Sequence, residues 1–205
     1  MTQTNTETLG LLPGRPELST ARARLFTTAL VLFGERGYHG VSVRDITDAL
    51  GQKPGAIYAH VQSKQDLLYE LVRIGHYEHR DRLRAAFEAA DPDPVSQITA
   101  IVTAHVKVHL DYIALARVTN QEFRFLDAEQ VDTILGVQAE SELLLLDVID
   151  RGKSLGVFGV TDSRLAVIAI GSMGIRTAEW WQPDSGLAAD HVASTYAEFA
   201  VKLLR

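Results

Sequence analysis

Apolar side chains recur at the helical period of 3.6 almost from end to end, and no segment alternates with the period of a strand. Leu25, Phe26, Ala29, Leu32 and Phe33 mark one stripe of a first helix, from about Ser19 to Arg36. Gly37 should end it, since a residue without Cβ enters the left-handed region at little cost. Ser42 with Asp45 three residues on is a capping-box pattern, and Val43, Ile46 and Leu50 give the inward stripe of a short second helix that Gly51 closes. Pro54 suits the first turn of a third helix, with Ile57 and Val61 inward. Ser63 and Asp66 cap a long fourth helix from Lys64 to about Ala90, stopped by Asp91-Pro92-Asp93-Pro94. Further helices are read at about 95–111, 112–126 and 128–151. After Gly152, Gly156 and Gly159 come two more, at about 163–181 and 187–204, separated by Gln182-Pro183-Asp184-Ser185-Gly186. The pattern predicts an all-α chain of about nine helices, divided into a loose arm (1–17), a three-helix head (18–64) and a larger helical body (65–205).

The head carries the chemistry. Between Val41 and Val61, Gly51 allows two short helices to meet at a steep angle, as a helix-turn-helix requires. The second helix then presents Gln52, Lys53, Pro54, Gly55 and Ala56 at its N-terminal end to a major groove. Gly55 and Ala56 are small enough for close approach to base edges or a thymine methyl. Tyr58, His60 and Lys64 place polar tips for phosphate oxygens, contacts that fix register without reading sequence. Ser42 and Arg44 stand at the start of the preceding helix, whose N–H groups favour a phosphate; Arg44 can instead pair with Asp48 at i+4. Taken singly, a tyrosine beside a core isoleucine is a packing residue, and a lysine at a helix start is a solvated charge. Their order and spacing point to DNA. Arg15, in the arm, has the reach for a minor groove.

A net charge of −6 runs against a DNA binder, but its distribution does not. Residues 1–64 hold seven basic and five acidic side chains, and residues 65–205 hold thirteen and twenty-one. A mildly basic head on an acidic body restricts which face approaches phosphate. The absence of cysteine excludes disulfides and thiolate metal sites and fits a reducing cytoplasm. No run reaches the roughly 18 apolar residues of a membrane span, and the N-terminus lacks a charged-then-apolar leader pattern.

From Ala29-x3-Phe33-x3-Gly37-Tyr38-x2-Val41-Ser42-Val43-x2-Ile46 through Leu50-Gly51 to Gly55-x-Ile57-Tyr58-x-His60-x2-Ser63-Lys64-x2-Leu67, the head resembles the TetR family of transcriptional regulators. Val61 stands where that family usually has Phe, and Gln52-Lys53-Pro54 replaces its commoner apolar-Ser-Lys turn. The resemblance implies a homodimer whose last two helices pair with their copies in a four-helix bundle, and a palindromic operator. Gly171, Ser172, Gly174 and Ala178 supply small surfaces for that approach, and the last helix offers Leu187, Val192, Thr195, Tyr196, Phe199 and Leu203. A narrower likeness, in Glu122-Phe-Arg-Phe-Leu126, Gly152-x3-Gly156-x-Phe158 and Trp180-Trp181-x-Pro183-x2-Gly186-Leu187, is to the acyl-CoA-responsive branch controlling fatty-acid and sterol catabolism. That branch commonly carries Asn-Trp where this chain has Ile175-Arg176.

For an effector, polar and aromatic residues intrude on apolar helices of the body at His105, His109, Tyr112, Arg117, Asn120, Phe123, Arg176, Trp180 and Trp181. Arg117, Arg124 and Arg176 are candidate partners for CoA phosphates. His105 and His109 have the i, i+4 spacing of a metal pair, but no third ligand stands near them, and His76 and His79 offer less; neither metal nor cofactor is expected. No phosphate-cradling glycine loop or nucleophile elbow is present, and Gly171-Ser172-Met173-Gly174 lies mid-helix, so no enzyme is expected. The sequence therefore predicts a ligand-responsive, DNA-binding repressor, released from its operator by a small apolar or acyl-CoA-like effector; the alternative is control by a partner protein with no small molecule.

Overall fold

The computed structural model describes residues 11–14 and 18–205. Arg15 and most of the arm expected at 1–17 lie outside the described residues. Those described form eight α-helices, two 3₁₀ helices and no strand. The helices are α1 (Thr20–Arg36), α2 (Val43–Ala49), α3 (Lys64–Ala89), α4 (Pro94–Asp111), α5 (Ile113–Glu122), α6 (Ala128–Ser154), α7 (Ser163–Trp180) and α8 (Ala189–Leu204). The all-α architecture is the one the hydrophobic period predicts. Two stretches differ in detail. The expected third helix forms as a six-residue 3₁₀ helix, Pro54–Ala59, closed by i to i+3 bonds such as His60 N–H to Ile57 O at 2.9 Å. The expected helix over 112–126 stops at Glu122 and tightens into a 3₁₀ turn, Phe123–Phe125.

The chain divides into two compact units. The first holds the described residues up to Gly75 together with Asp111–Gln130, so it is larger than the 18–64 head of the sequence reading. The physical reason is that α5 packs on α1, where Val118 reaches Gly34. Tyr38 Oη also donates to Gln65 Oε1 at 2.9 Å, while Gln65 Nε2 donates to the carbonyl of Phe125 at 2.6 Å. The Phe125 ring stacks on Tyr38 with centroids 5.8 Å apart. Leu25, Phe26, Ala29, Leu30 and Phe33 of α1 are buried with Ile46, Ile57, Val61, Leu67, Leu68 and Leu71. Each short element is fixed by its ends. Ser19 caps α1 through the Arg22 N–H, Gly37 at φ +70° returns its N–H to Phe33 O, and the Ser42–Asp45 capping box is formed in both directions. Gly51 makes the helix-turn-helix turn at φ +68°.

The second unit comprises His76–Leu110 and Val131–Arg205. Its core joins Leu83 of α3, Ile98, Ile101 and Val102 of α4, Leu145, Val148 and Ile149 of α6, Ile170 of α7, and Ala197, Ala200 and Leu204 of α8. Asp162 caps α7 by accepting from Leu165 N–H at 3.0 Å. The small residues assigned to a partner helix are not all free for one. Gly174 and Ala178 are buried within the protomer, and a Cβ on Gly174 would overlap the imidazole of His105. The outward face of α7 carries Leu165, Ile168 and Ile175 instead, and α8, which packs on α7, exposes Phe199 and Leu203. No single helix among the described residues is long and apolar enough to cross a membrane.

Candidate nucleic-acid interface and body cavity

Ile46, Ile57 and Val61 are drawn into the head's core. Gln52, Lys53, Pro54 and Gly55 are exposed, Ala56 and His60 are half-buried, and Tyr58 is 57% exposed. Nothing lies within 4 Å of where a Gly55 side chain would stand, so that backbone is open to a ligand. Ser42 is exposed; its hydroxyl is shared with Asp45, whose carboxyl those Ser42 bonds hold below the usual carboxylate range. Arg44 makes the i+4 pair with Asp48 at 3.5 Å, both groups largely solvated. The outward positions therefore run from Gln52 to Gly55 and resume at Tyr58.

Lys64, expected from sequence as a phosphate contact, is held from within the head. Its Nζ donates to the carbonyls of Tyr38 at 2.8 Å and Val41 at 2.7 Å, and it lies 4.0 Å above the Tyr38 ring. Partial burial pushes its pKa below the ordinary lysine value. The ammonium clamps the loop between α1 and α2, which in turn sets the start of α2. Sequence alone gives no sign of this, since the two carbonyls lie 26 and 23 residues upstream. Tyr38 and Gln65, which complete the clamp, are likewise invisible to a search for outward polar residues.

In the second unit a cavity of about 200 Å³ opens between α3, α4, α6 and α7. Leu83, Ile101, Val102, Leu145, Val167 and Ile170 make its walls apolar, with Ile168 and Ile175 also lining it; His79, His105, Ser141, Glu142 and Ser172 are the polar points. Of the nine effector candidates named from sequence, His105 lines it. His109 is buried one turn along α4. Tyr112, Arg117, Asn120 and Phe123 belong to the first unit. Arg176 is exposed and paired with Glu179 at 2.8 Å. Trp181 is buried and donates its indole N–H to Leu187 O at 2.8 Å, while Trp180 is partly exposed. The glycines of the Gly152–Phe158 segment serve packing, because a Cβ on Gly152 would overlap the Phe158 ring. The third imidazole absent near His105 and His109 in sequence is supplied by the fold: His79 Nε2 stands 2.7 Å from His105 Nδ1.

A capped helix-turn-helix with an outward polar face, joined to a helical body that holds a cavity, defines a DNA-binding regulator. Residues 25–71 match the family model described as bacterial regulatory proteins, tetR family, and residues 91–204 match that of the tetracyclin repressor-like C-terminal domain. The HTH-type transcriptional repressor KstR2 of Rhodococcus jostii is 28% identical over 181 residues, covering 87% of this chain and 88% of that one. A bacterial regulatory protein of the tetR family from Rhodococcus RHA1 superposes with a TM-score of 0.85 at 30% identity, over 91% of this chain and 98% of that one. AibR, solved in complex with isovaleryl coenzyme A and operator DNA, shares the fold at a TM-score of 0.77 and 21% identity, over 89% and 96% of the two chains. The chain belongs to the TetR family of bacterial transcriptional regulators, and is not an enzyme.

Proposed function

We propose that this regulator is a cytoplasmic, homodimeric repressor that holds a palindromic operator until a small apolar effector enters the body cavity. The DNA half rests on one observation. In a head whose apolar residues are buried, Gln52–Gly55 and Tyr58 stay outward on a short element fixed by caps at both neighbours. Gln52, Lys53, Pro54, Gly55 and Ala56 read the groove, and Ser42, Arg44, Tyr58 and His60 meet phosphate. Lys64 supports them by holding the loop before α2. The repressing direction follows the named relatives of the KstR2 type.

Two-fold pairing through Leu165, Ile168, Ile175, Phe199 and Leu203 gives the two heads the fixed separation that a palindrome demands. The effector half draws support from the cavity, whose apolar walls and few polar points suit a small lipophilic acid or the acyl end of a thioester. Its lining holds no arginine or lysine, so a CoA moiety would have to lie outside it. Occupancy would favour a body conformation in which α3, which contributes to both units, carries the head out of register.

The test is footprinting of the purified protein on its own upstream region, followed by titration of the complex with fatty acids, their CoA esters and free CoA. Release by apolar acids or esters, with free CoA inert, supports the reading. A protected site that no apolar compound releases overturns the effector half, and the absence of any sequence-specific footprint overturns the whole.

A further inference from the structure

Three imidazoles converge beside the cavity, and DNA reading uses none of them. One ring nitrogen from each of His79, His105 and His109 lies within 4.8 Å of the other two. Helical spacing puts His105 and His109 on the same face of α4, and α3 brings His79 against them, with ring centroids 4.9 to 5.7 Å apart and near edge-to-face.

What each ring offers is settled by what its other nitrogen touches. His105 Nε2 lies 3.0 Å from the carbonyl of Gly171; a carbonyl can only accept, so this nitrogen carries the proton and Nδ1 keeps its lone pair. His109 Nδ1 lies 2.7 Å from the carbonyl of His105, which by the same reasoning leaves Nε2 basic. Two backbone carbonyls thus fix two rings in tautomer and orientation, the outer-shell arrangement that metal-ligating histidines show.

A hydrogen-bonded pair accounts for His79 with His105 but gives no reason for a third basic nitrogen beside them. A second observation concerns the cavity that His79 and His105 line. The buried hydroxyl of Ser141 opens on it and finds no hydrogen-bond partner among the described residues. A buried hydroxyl left so is costly unless something polar occupies the space before it.

We propose that His79 Nε2, His105 Nδ1 and His109 Nε2 bind one divalent first-row transition-metal ion, of the zinc, cobalt, nickel and copper class, with a fourth coordination position open to the cavity. Three neutral imidazoles select such ions over magnesium or calcium, which take oxygen. Metal–nitrogen bonds of about 2.0–2.1 Å in tetrahedral geometry place donors about 3.3 Å apart; His79 Nε2 and His105 Nδ1 stand 2.7 Å apart here, and one ring nitrogen of each of the three histidines lies within 4.8 Å of the others. Water, or a donor atom of a bound small molecule, fills the fourth position near the Ser141 hydroxyl.

The full chain, stripped with a chelator, is titrated with Co(II) and then Zn(II), followed by calorimetry and visible absorption. One ion per chain, the absorption bands of four-coordinate Co(II), and displacement by Zn(II) are expected. His79→Gln and His109→Gln should each weaken binding by roughly 100-fold, at least the loss usual for an outer-shell change. Zn(II) should raise the melting temperature of the parent and not of the variants. His105 is spared because it also packs on Gly174. Should either variant fold poorly, Cu(II) electron paramagnetic resonance on the unsubstituted protein decides, since three coupled nitrogens are expected. No saturable binding, unchanged affinity in both folded variants, or a copper spectrum without nitrogen coupling would overturn the site. None of these readouts involves operator or effector, so the site fails or stands apart from the cavity's assignment to an apolar ligand.

Discussion

Gly174 lies against the imidazole of His105, which occupies the space where any side chain at 174 would begin. The small residue therefore serves the packing of α7 on α4 inside one protomer, not the meeting of two protomers. Gly174→Ala should destabilise the body by about 1–3 kcal/mol, the range for overpacking a closed interior. It should leave a folded sample dimeric. Denaturant unfolding with sedimentation on the same samples checks both, and a stable monomer would return Gly174 to the interface.

The dimer face is better probed where apolar side chains are exposed. Phe199 is 47% exposed on α8, one turn from Leu203, and Ile168 and Ile175 are exposed on α7. Phe199→Asp removes little from the protomer's own core, so its melting temperature measured as monomer should barely move. Sedimentation should show a weakened dimer, and operator affinity should fall in parallel because each head alone reads a half-site. A variant that remains fully dimeric places the interface on another surface.

Lys53 and Lys64 should separate by salt dependence. Lys53 is exposed at the start of the recognition element, whereas the Lys64 ammonium is held by the carbonyls of Tyr38 and Val41. Lys53→Ala should reduce the slope of log affinity against log salt by about 0.9, one counterion's worth. Lys64→Met should weaken operator binding with little change of slope, and should lower head stability by about 1.5–3 kcal/mol for a lost charge-assisted bond. Equal slope changes in both would make Lys64 a phosphate contact as well as a clamp.

Local signals in the head were legible because neighbours in sequence make them. Ser42 with Asp45, Gly37 and Gly51 act within four residues of themselves, and each sits where the pattern puts it. The 3₁₀ form of Pro54–Ala59 was not legible, since six residues opening on Pro-Gly give no period to count. Nor was the joining of α5 to the head, which depends on Gln65 reaching Phe125 sixty residues away. The cavity was hardest. Its polar points come from α3, α4, α6 and α7, and linear spacing shows His105 and His109 but cannot bring His79 to them.

Those same histidines make stability depend on pH in a direction that can be worked out. Burial pushes His76 down to about 4 and His105 to about 3, and lowers His79 and His109. The positive charge that His76, His79 or His105 would gain is further opposed by imidazole neighbours, His109 foremost for His76 and His105, and His105 foremost for His79. In the unfolded chain each ring titrates near 6.5. Above that pH both states hold the rings neutral, and their contribution to stability is complete. As pH falls through 6.5 the unfolded chain takes up protons that the folded chain refuses, so the unfolding free energy drops. The loss continues until the folded rings protonate, down to about 4 for His76 and about 3 for His105. The carboxyls of Asp45 and Asp93, lowered by their Ser42 and Ser96 bonds, add to it only below the ordinary carboxylate value of 3.8. Metal-free protein unfolded by urea should therefore show a midpoint that is flat from pH 8 to about 7 and declines from about 6.5 to 4. His76→Leu should shallow that decline by up to one proton. A midpoint unchanged between pH 7 and 5 would mean that these rings are solvated in the folded protein.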